Sequence, residues 1–115
     1  MIVYGIKNCN SIKSAIDFLT KKKIAFEFHD YKVKGISEAK LKDWSSQVGW
    51  ETLINKRGTT WRQIPDAVKE KTTTESAGTK LMKDNMSVIK RPVIEHQGKI
   101  VTIGYDVNEY HKIFN

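Results

Sequence analysis

Apolar and polar positions follow two different periods along the first part of the chain. Residues 1–6 form an apolar run of strand length. The next apolar residues recur at the spacing of an amphipathic helix: Ile12, Ala15, Ile16 and Leu19. Residues 25–31 alternate apolar and polar, which predicts a second strand, and because a helix connects the two strands we expect them to be parallel. A second helix is predicted between an N-cap at Ser37 and a terminating Gly49.

The pattern changes between about residue 50 and residue 87, where short apolar pieces alternate with polar connections. This predicts a cluster of short helices inserted into the domain. Residues 92–95 and 99–103 then predict a hairpin with Gly98 at its turn. Asp106 and Glu109 form a capping box for a final helix, whose predicted apolar face is Val107, Tyr110, Ile113 and Phe114. The predicted order is βαβα, a helical insert and ββα, in a single α/β domain of residues 1–115 with a mixed sheet.

Composition and charge exclude several classes of function. The chain has 115 residues, of which 39% are hydrophobic, and its net charge of +7 would suit an anionic partner. Scattered surface lysine more often serves only to keep a small protein in solution, and this is the interpretation that we favour for the charge as a whole. The lysines are spread along the chain rather than focused, so we expect no nucleic-acid partner. No apolar run approaches the ~20 residues that span a bilayer, and no signal peptide is evident, so we expect a cytoplasmic protein without a membrane partner. We also expect a monomer, although no sequence pattern determines the oligomeric state. The three histidines lie far apart in sequence, and no metal site is predicted: His29, His96 and His111.

Cys9 is the single cysteine of the chain, and it lies between the first predicted strand and helix. The unpaired amide groups and the dipole of a helix N-terminus favour a thiolate, which is the reactive form of cysteine. Lys7 and Lys13 add positive charge. A buried structural cysteine is the alternative, but the immediate neighbours of Cys9 are polar, which favours a reactive thiol.

Three arginines are candidates for contacts with an anion. Arg91 precedes Pro92 at the start of the third strand, and a cis peptide there would place Arg91 beside Cys9 across the strand tips. The alternative is a proline that merely begins a strand. Arg57 and Arg62 flank glycine and threonines and suit a carboxylate or oxyanion, unless they are ordinary solvated arginines of a loop.

Four motifs lie in the order in which they occur in one known family. They are Tyr4-Gly5-Ile6-Lys7-Asn8-Cys9, Arg57-Gly58-Thr59-Thr60-Trp61-Arg62, Lys90-Arg91-Pro92 and Gly104-Tyr105. Over essentially its full length the chain resembles the arsenate reductase (ArsC)-related family that includes Spx, and specifically its YffB branch. The resemblance implies a thioredoxin-like fold with a helical insert, a cis-proline at Pro92 and a nucleophilic thiol at Cys9.

The chain also departs from the patterns of this family at several positions. Spx proteins have a Cys-x-x-Cys pair, whereas here Ile12 occupies the second position and no internal resolving thiol exists. Arsenate reductases carry three arginines around the cysteine. Arg91 matches one of them, Asn55 stands at the first position with Arg57 two residues on, and no arginine lies between Gly98 and Tyr105.

The resemblance implies a monothiol oxidoreductase of the ArsC/YffB type with glutathione as co-substrate. Cys9 would attack an oxidised or glutathionylated sulfur, and an external thiol would resolve the mixed disulfide. The residues assigned to stabilising the thiolate or a bound anion are Arg91, Asn8 and Lys7. Those assigned to binding glutathione or substrate are Arg57, Arg62 and Pro92. The alternatives are an arsenate reductase with a modified anion site and an Spx-like protein-binding transcriptional regulator.

Overall fold

Four short strands form one mixed sheet in the computed structural model, which describes residues 1–115. They are β1 (Ile2–Gly5), β2 (Glu27–Asp30), β3 (Val93–His96) and β4 (Lys99–Ile103), in the order β2-β1-β3-β4. β1 is parallel to β2 and antiparallel to β3, and β3 is antiparallel to β4. The predicted parallel pair, the hairpin and the mixed sheet are therefore confirmed.

Eight helices accompany the sheet. They are α1 (Asn10–Lys21), α2 (Tyr31–Lys34), α3 (Glu38–Val48), α4 (Trp50–Leu53), α5 (Thr59–Gln63), α6 (Asp66–Lys71), α7 (Glu75–Asp84) and α8 (Val107–Ile113), with a 3-10 turn at Met86–Val88. The single turn α2 is not predicted by the sequence pattern. It begins directly after β2 because the Asp30 side chain accepts a hydrogen bond from the Lys32 amide at 2.9 Å. None of the helices has both the length and the apolar character needed to cross a membrane.

The chain divides into two units, and the first consists of Met1–Lys34 and Arg91–Asn115. Its core is formed by apolar side chains from β1, α1, β3 and α8: Val3, Ala15, Phe18, Leu19, Ile94, Tyr110 and Phe114. The buried stripe of α1 includes Phe18, which the predicted stripe omitted, whereas Ile16 is only half-buried. This rotation of the stripe leaves Ile16 available to line a surface groove.

The predicted apolar face of α8 is wrong in two positions. Val107 and Ile113 are 44% and 39% exposed, and only Tyr110 and Phe114 enter the core. The helix begins as predicted, since the Asp106 carboxylate accepts hydrogen bonds from the Asn108 and Glu109 amides. A helix of seven residues presents a narrow stripe, so the residues at its two ends lie beyond the edge of the core.

The second unit is Gly35–Lys90, and it begins about fifteen residues before the predicted insert. α3 belongs to it because this helix contacts α4 and α7, and the Ser45 hydroxyl donates to the Glu75 carboxylate at 3.0 Å. The Ser37 cap is confirmed, since its hydroxyl accepts from the Lys40 amide. Gly78 of α7 lies against the ring of Trp50, where a larger residue would overlap the indole.

Candidate active site

Cys9 is the N-cap residue of α1, with extended backbone angles and its carbonyl accepting the first helical hydrogen bond, from the Lys13 amide at 3.0 Å. The turn from β1 to the helix passes through Asn8, whose φ of 66° is in the left-handed region that asparagine tolerates better than most residues. The sulfur-bearing side chain is partly buried and forms no disulfide. The predicted position between strand and helix is confirmed.

The pKa of Cys9 is set by opposing effects. Partial burial of the thiol raises it, because burial disfavours the charged form. The Ile12 amide, the Arg91 side chain and the Ser11 amide act in the other direction and outweigh burial, so the pKa of Cys9 is lowered. The two amides belong to the first turn of α1, where backbone N–H groups lack helical partners. The site therefore favours a thiolate.

Arg91 reaches Cys9 because β1 and β3 are neighbours in the sheet. The register pairs Tyr4 with Val93, so the carboxyl end of β1 lies beside the beginning of β3. The Arg91–Pro92 peptide is cis, and the Pro92 carbonyl accepts a hydrogen bond from the Gly104 amide at 2.8 Å. The Arg91 guanidinium lowers the pKa of Cys9 by a hydrogen bond and by its charge. The predicted cis bond and the predicted neighbourhood of Arg91 and Cys9 are both confirmed.

Buried polar side chains lie near Arg91, and sequence reasoning missed them. The Tyr4 hydroxyl donates to the buried Glu95 carboxylate at 3.2 Å, and burial followed by the Glu95 charge raises the pKa of Tyr4 to about 12. Tyr31 is fully buried, and burial together with Tyr4 raises its pKa although the Arg91 charge opposes the shift. The available signal was Glu95, a charged residue within the apolar run Val93–His96.

Lys7 and Asn8 are exposed, and they line a cavity of about 280 Å³ whose lining includes the residue before Cys9 and the first turns of α1, but not Cys9 itself. We call this cavity the lysine groove, and its lining residues are Lys7, Asn8, Ile12, Lys13, Ile16 and Phe28. The charge that lowers the pKa of Cys9 is that of Arg91. The predicted roles of Lys7 and Asn8 in stabilising the thiolate stay predictions.

Arg57 and Arg62 lie in the second unit, and both are exposed. The loop before α5 is organised by Asn55, whose side chain accepts from the Arg57 amide at 3.1 Å. The Arg62 amide donates a hydrogen bond to the Gly58 carbonyl. The ring centroid of Trp61 lies within 6 Å of the ammonium groups of Lys56 and Lys69. The assignment of the two arginines to glutathione or substrate binding stays a prediction.

No group of three or more histidine, cysteine, aspartate or glutamate side chains is arranged to hold a metal ion. The site is thus built from one thiol, backbone amides and cationic side chains. These groups can stabilise a thiolate and orient an anionic ligand.

The model of the ArsC family matches residues 4–113 of the chain. The chain belongs to the ArsC family. This membership covers arsenate reductases and related thiol oxidoreductases, and it agrees with the thiolate site at Cys9. An uncharacterized protein of Haemophilus influenzae (strain Rd) is 41% identical over 97% of this chain and 96% of its own length.

Solved structures of related proteins have the same architecture as this ArsC-family chain. The YffB protein is 37% identical, with a TM-score of 0.90 over 99% of this chain and 98% of its own. An arsenate reductase (ArsC) related protein from Brucella melitensis is 38% identical, with a TM-score of 0.79 over 99% and 93% of the two chains. An arsenate reductase from Vibrio cholerae, at 17% identity and a TM-score of 0.72 over 86% and 85%, shares the fold. The predicted thioredoxin-like fold is confirmed.

Proposed function

We propose that the chain is a monothiol oxidoreductase of the YffB type that reduces mixed disulfides through Cys9, with glutathione as co-substrate. The observation that carries the proposal is the lowered pKa of Cys9 at the N-cap of α1, beside Arg91. The chain has a single cysteine, so each catalytic cycle requires a thiol from outside the protein. A free thiol of this kind persists in a reducing compartment, and we propose a cytoplasmic location on the same ground.

The chemistry comprises two thiol–disulfide exchanges. In the first, the Cys9 thiolate attacks one sulfur of a disulfide R–S–S–R′, forms Cys9–S–S–R and releases R′–S⁻, which carries away the electron pair of the broken bond. In the second, the thiolate of glutathione attacks the sulfur of R, forms the disulfide between glutathione and R, and releases the Cys9 thiolate. The lowered pKa of Cys9 assists twice, because it supplies the nucleophile and makes Cys9 a good leaving group.

Arg91 is the proposed thiolate-stabilising residue, with Lys7 and Asn8 as further contacts for an anionic group. Pro92 is buried, and its carbonyl is held by the Gly104 amide, so it fixes the backbone next to Arg91. Arg57 and Arg62 are exposed donors that suit the carboxylates of glutathione.

The test is turnover of the mixed disulfide between glutathione and 2-mercaptoethanol, followed through glutathione reductase and NADPH. We expect turnover by the wild-type protein and none by Cys9→Ser. Turnover that persists in Cys9→Ser would refute the assignment of the nucleophile. If the wild type gave no turnover and instead captured a protein partner stably on Cys9, the alternative of an Spx-like protein-binding regulator would be favoured.

Arsenate reduction is the second candidate, and the guanidinium of Arg91 beside the thiolate favours it as a site for an oxyanion. The related Brucella melitensis protein is described as related to arsenate reductase. Asn55, which stands where arsenate reductases have an arginine, uses its side chain to organise the Arg57 loop. We therefore expect arsenate to be turned over more slowly than a mixed disulfide, in a direct comparison of the two substrates with glutathione as reductant.

A further inference from the structure

The lysine groove extends along the face of α1 that carries Ile12, Lys13 and Ile16. Asn8, which precedes Cys9, and Ile12, whose amide acts on the sulfur, both line it. Ile16 lies one helical turn beyond Ile12, so the groove continues about 6 Å away from the first turn. A group attached to the Cys9 sulfur would therefore have this cavity as a neighbouring site.

The floor of the lysine groove is apolar. It consists of Ile12, Ile16 and Phe28, and Ile12 is held above Gly5, where a Cβ atom would overlap its side chain. Small-molecule sites are lined mainly by apolar side chains with a few polar groups that fix orientation. At about 280 Å³ the groove lies just below the ~300–1,000 Å³ typical of such sites, which suits one small organic group rather than a large ligand.

The rim of the lysine groove is cationic and uncompensated. Three lysines of the first unit pair with carboxylates: Lys21 with Asp17 at 2.9 Å, Lys34 with Glu27 at 3.6 Å and Lys112 with Glu109 at 3.5 Å. Lys7 and Lys13 make no such pair, and no acidic residue lines the cavity. An anion in the groove would meet two cations whose charges no carboxylate of the protein neutralises.

We propose that the lysine groove binds the carboxylate-bearing half of the disulfide that Cys9 attacks, with the apolar part of that half against Ile12, Ile16 and Phe28. The occupant is a small organic thiol conjugate that bears a carboxylate. When Cys9 attacks, this half becomes bonded to the Cys9 sulfur and stays in the groove, and the other half departs as its thiolate. This substrate class rests on the proposed function, whereas its test requires no turnover.

The test compares two disulfides that react once with Cys9 and release a coloured thiol. 5,5′-Dithiobis(2-nitrobenzoate) carries a carboxylate on each aromatic ring, and 2,2′-dithiodipyridine is neutral. The readout is the ratio of their second-order rate constants at fixed pH, because a change in the thiolate fraction of Cys9 affects both rates and cancels in the ratio. The variant is Lys7→Gln/Lys13→Gln. The matched control is Lys23→Gln/Lys99→Gln, which removes the same charge from exposed positions of the same unit that lie outside the groove and likewise pair with no carboxylate.

We expect the anionic-to-neutral ratio to fall about 2- to 30-fold in the groove variant, as for the loss of two exposed charge contacts. In the control variant the anionic-to-neutral ratio should stay within about twofold of wild type. In 1 M salt the fall of the ratio in the groove variant should become smaller, because salt screens the two charges. An equal fall in both double variants would mean that net charge alone attracts the reagent, and it would overturn the proposal. An unchanged ratio in the groove variant would overturn it as well.

The two proposals fail separately. One outcome would be a lower anionic-to-neutral ratio in Lys7→Gln/Lys13→Gln while the wild type fails to turn over the glutathione mixed disulfide. It would support binding of the carboxylate in the groove and refute the catalytic cycle. Normal turnover with an unchanged ratio would refute the groove and support the cycle.

Discussion

Replacement of Arg91 by methionine tests the cause of the Cys9 thiolate. A hydrogen bond to a charged group contributes about 1.5–3 kcal/mol. Because the Cys9 side chain is only partly buried, solvent screens the guanidinium, so we expect the lost contribution to lie at the lower end of that range and the pKa of Cys9 to rise in Arg91→Met. The measurement is the rate of iodoacetamide alkylation against pH, with the unfolded protein as reference.

The wild-type midpoint should lie below that of the unfolded protein, since the Ile12 and Ser11 amides and Arg91 outweigh burial. Arg91→Lys is the control, because it keeps the charge while losing the guanidinium geometry, and it should retain part of the lowering. An Arg91→Met midpoint equal to wild type would refute the reasoning, because the helix N-terminus alone would then account for the thiolate.

The same shift has a consequence for stability. A group whose pKa is lowered in the folded state stabilises the fold above its unfolded pKa, about 8.5 for cysteine, and this contribution disappears as the pH falls through the lowered folded value. The free energy of unfolding of wild type relative to Cys9→Ser should therefore rise with pH across that window. Urea unfolding at several pH values measures it, and a difference that is constant with pH would contradict the shift.

Three further substitutions test the site and the packing. Cys9→Ser should abolish thiol exchange while the urea midpoint at pH 6 stays close to wild type; a large loss of stability would instead identify Cys9 as a core residue. Gly5→Ala should destabilise the fold by about 1–3 kcal/mol, because its Cβ would overlap Ile12, and neutral behaviour would mean that Ile12 can move freely. Gly78→Ala should cost a similar ~1–3 kcal/mol in urea unfolding by overlap with the Trp50 ring, and an unchanged midpoint would contradict that packing.

Local patterns predicted the elements that carry Cys9. The apolar run of β1 and the periodic residues of α1 are signals within one segment, so the turn that holds Cys9 followed from them. The Ser37 cap and the hairpin turn were equally local, with Gln97 and Gly98 both at positive φ as a tight two-residue turn requires.

Features that depend on distant segments were harder to predict. The contact between Arg91 and Cys9 joins residues 82 positions apart in sequence, and the family resemblance rather than periodicity made the cis peptide a strong expectation. The buried Glu95 carboxylate accepts a hydrogen bond from the Tyr4 hydroxyl on the neighbouring strand, a contact that no local pattern reports. The lysine groove likewise combines α1 with Phe28 of β2, so its floor appears only when the parallel pair has formed.

Ile12 occupies the position at which a dithiol relative would carry its second cysteine, and here it is a buried part of the groove floor. A thiol at this position would let the protein release the bound group by forming an internal disulfide, which an external reductant would still have to reduce, and it would shorten the apolar side chain that forms part of the groove floor. Release of the bound group and the apolar floor therefore depend on one side chain.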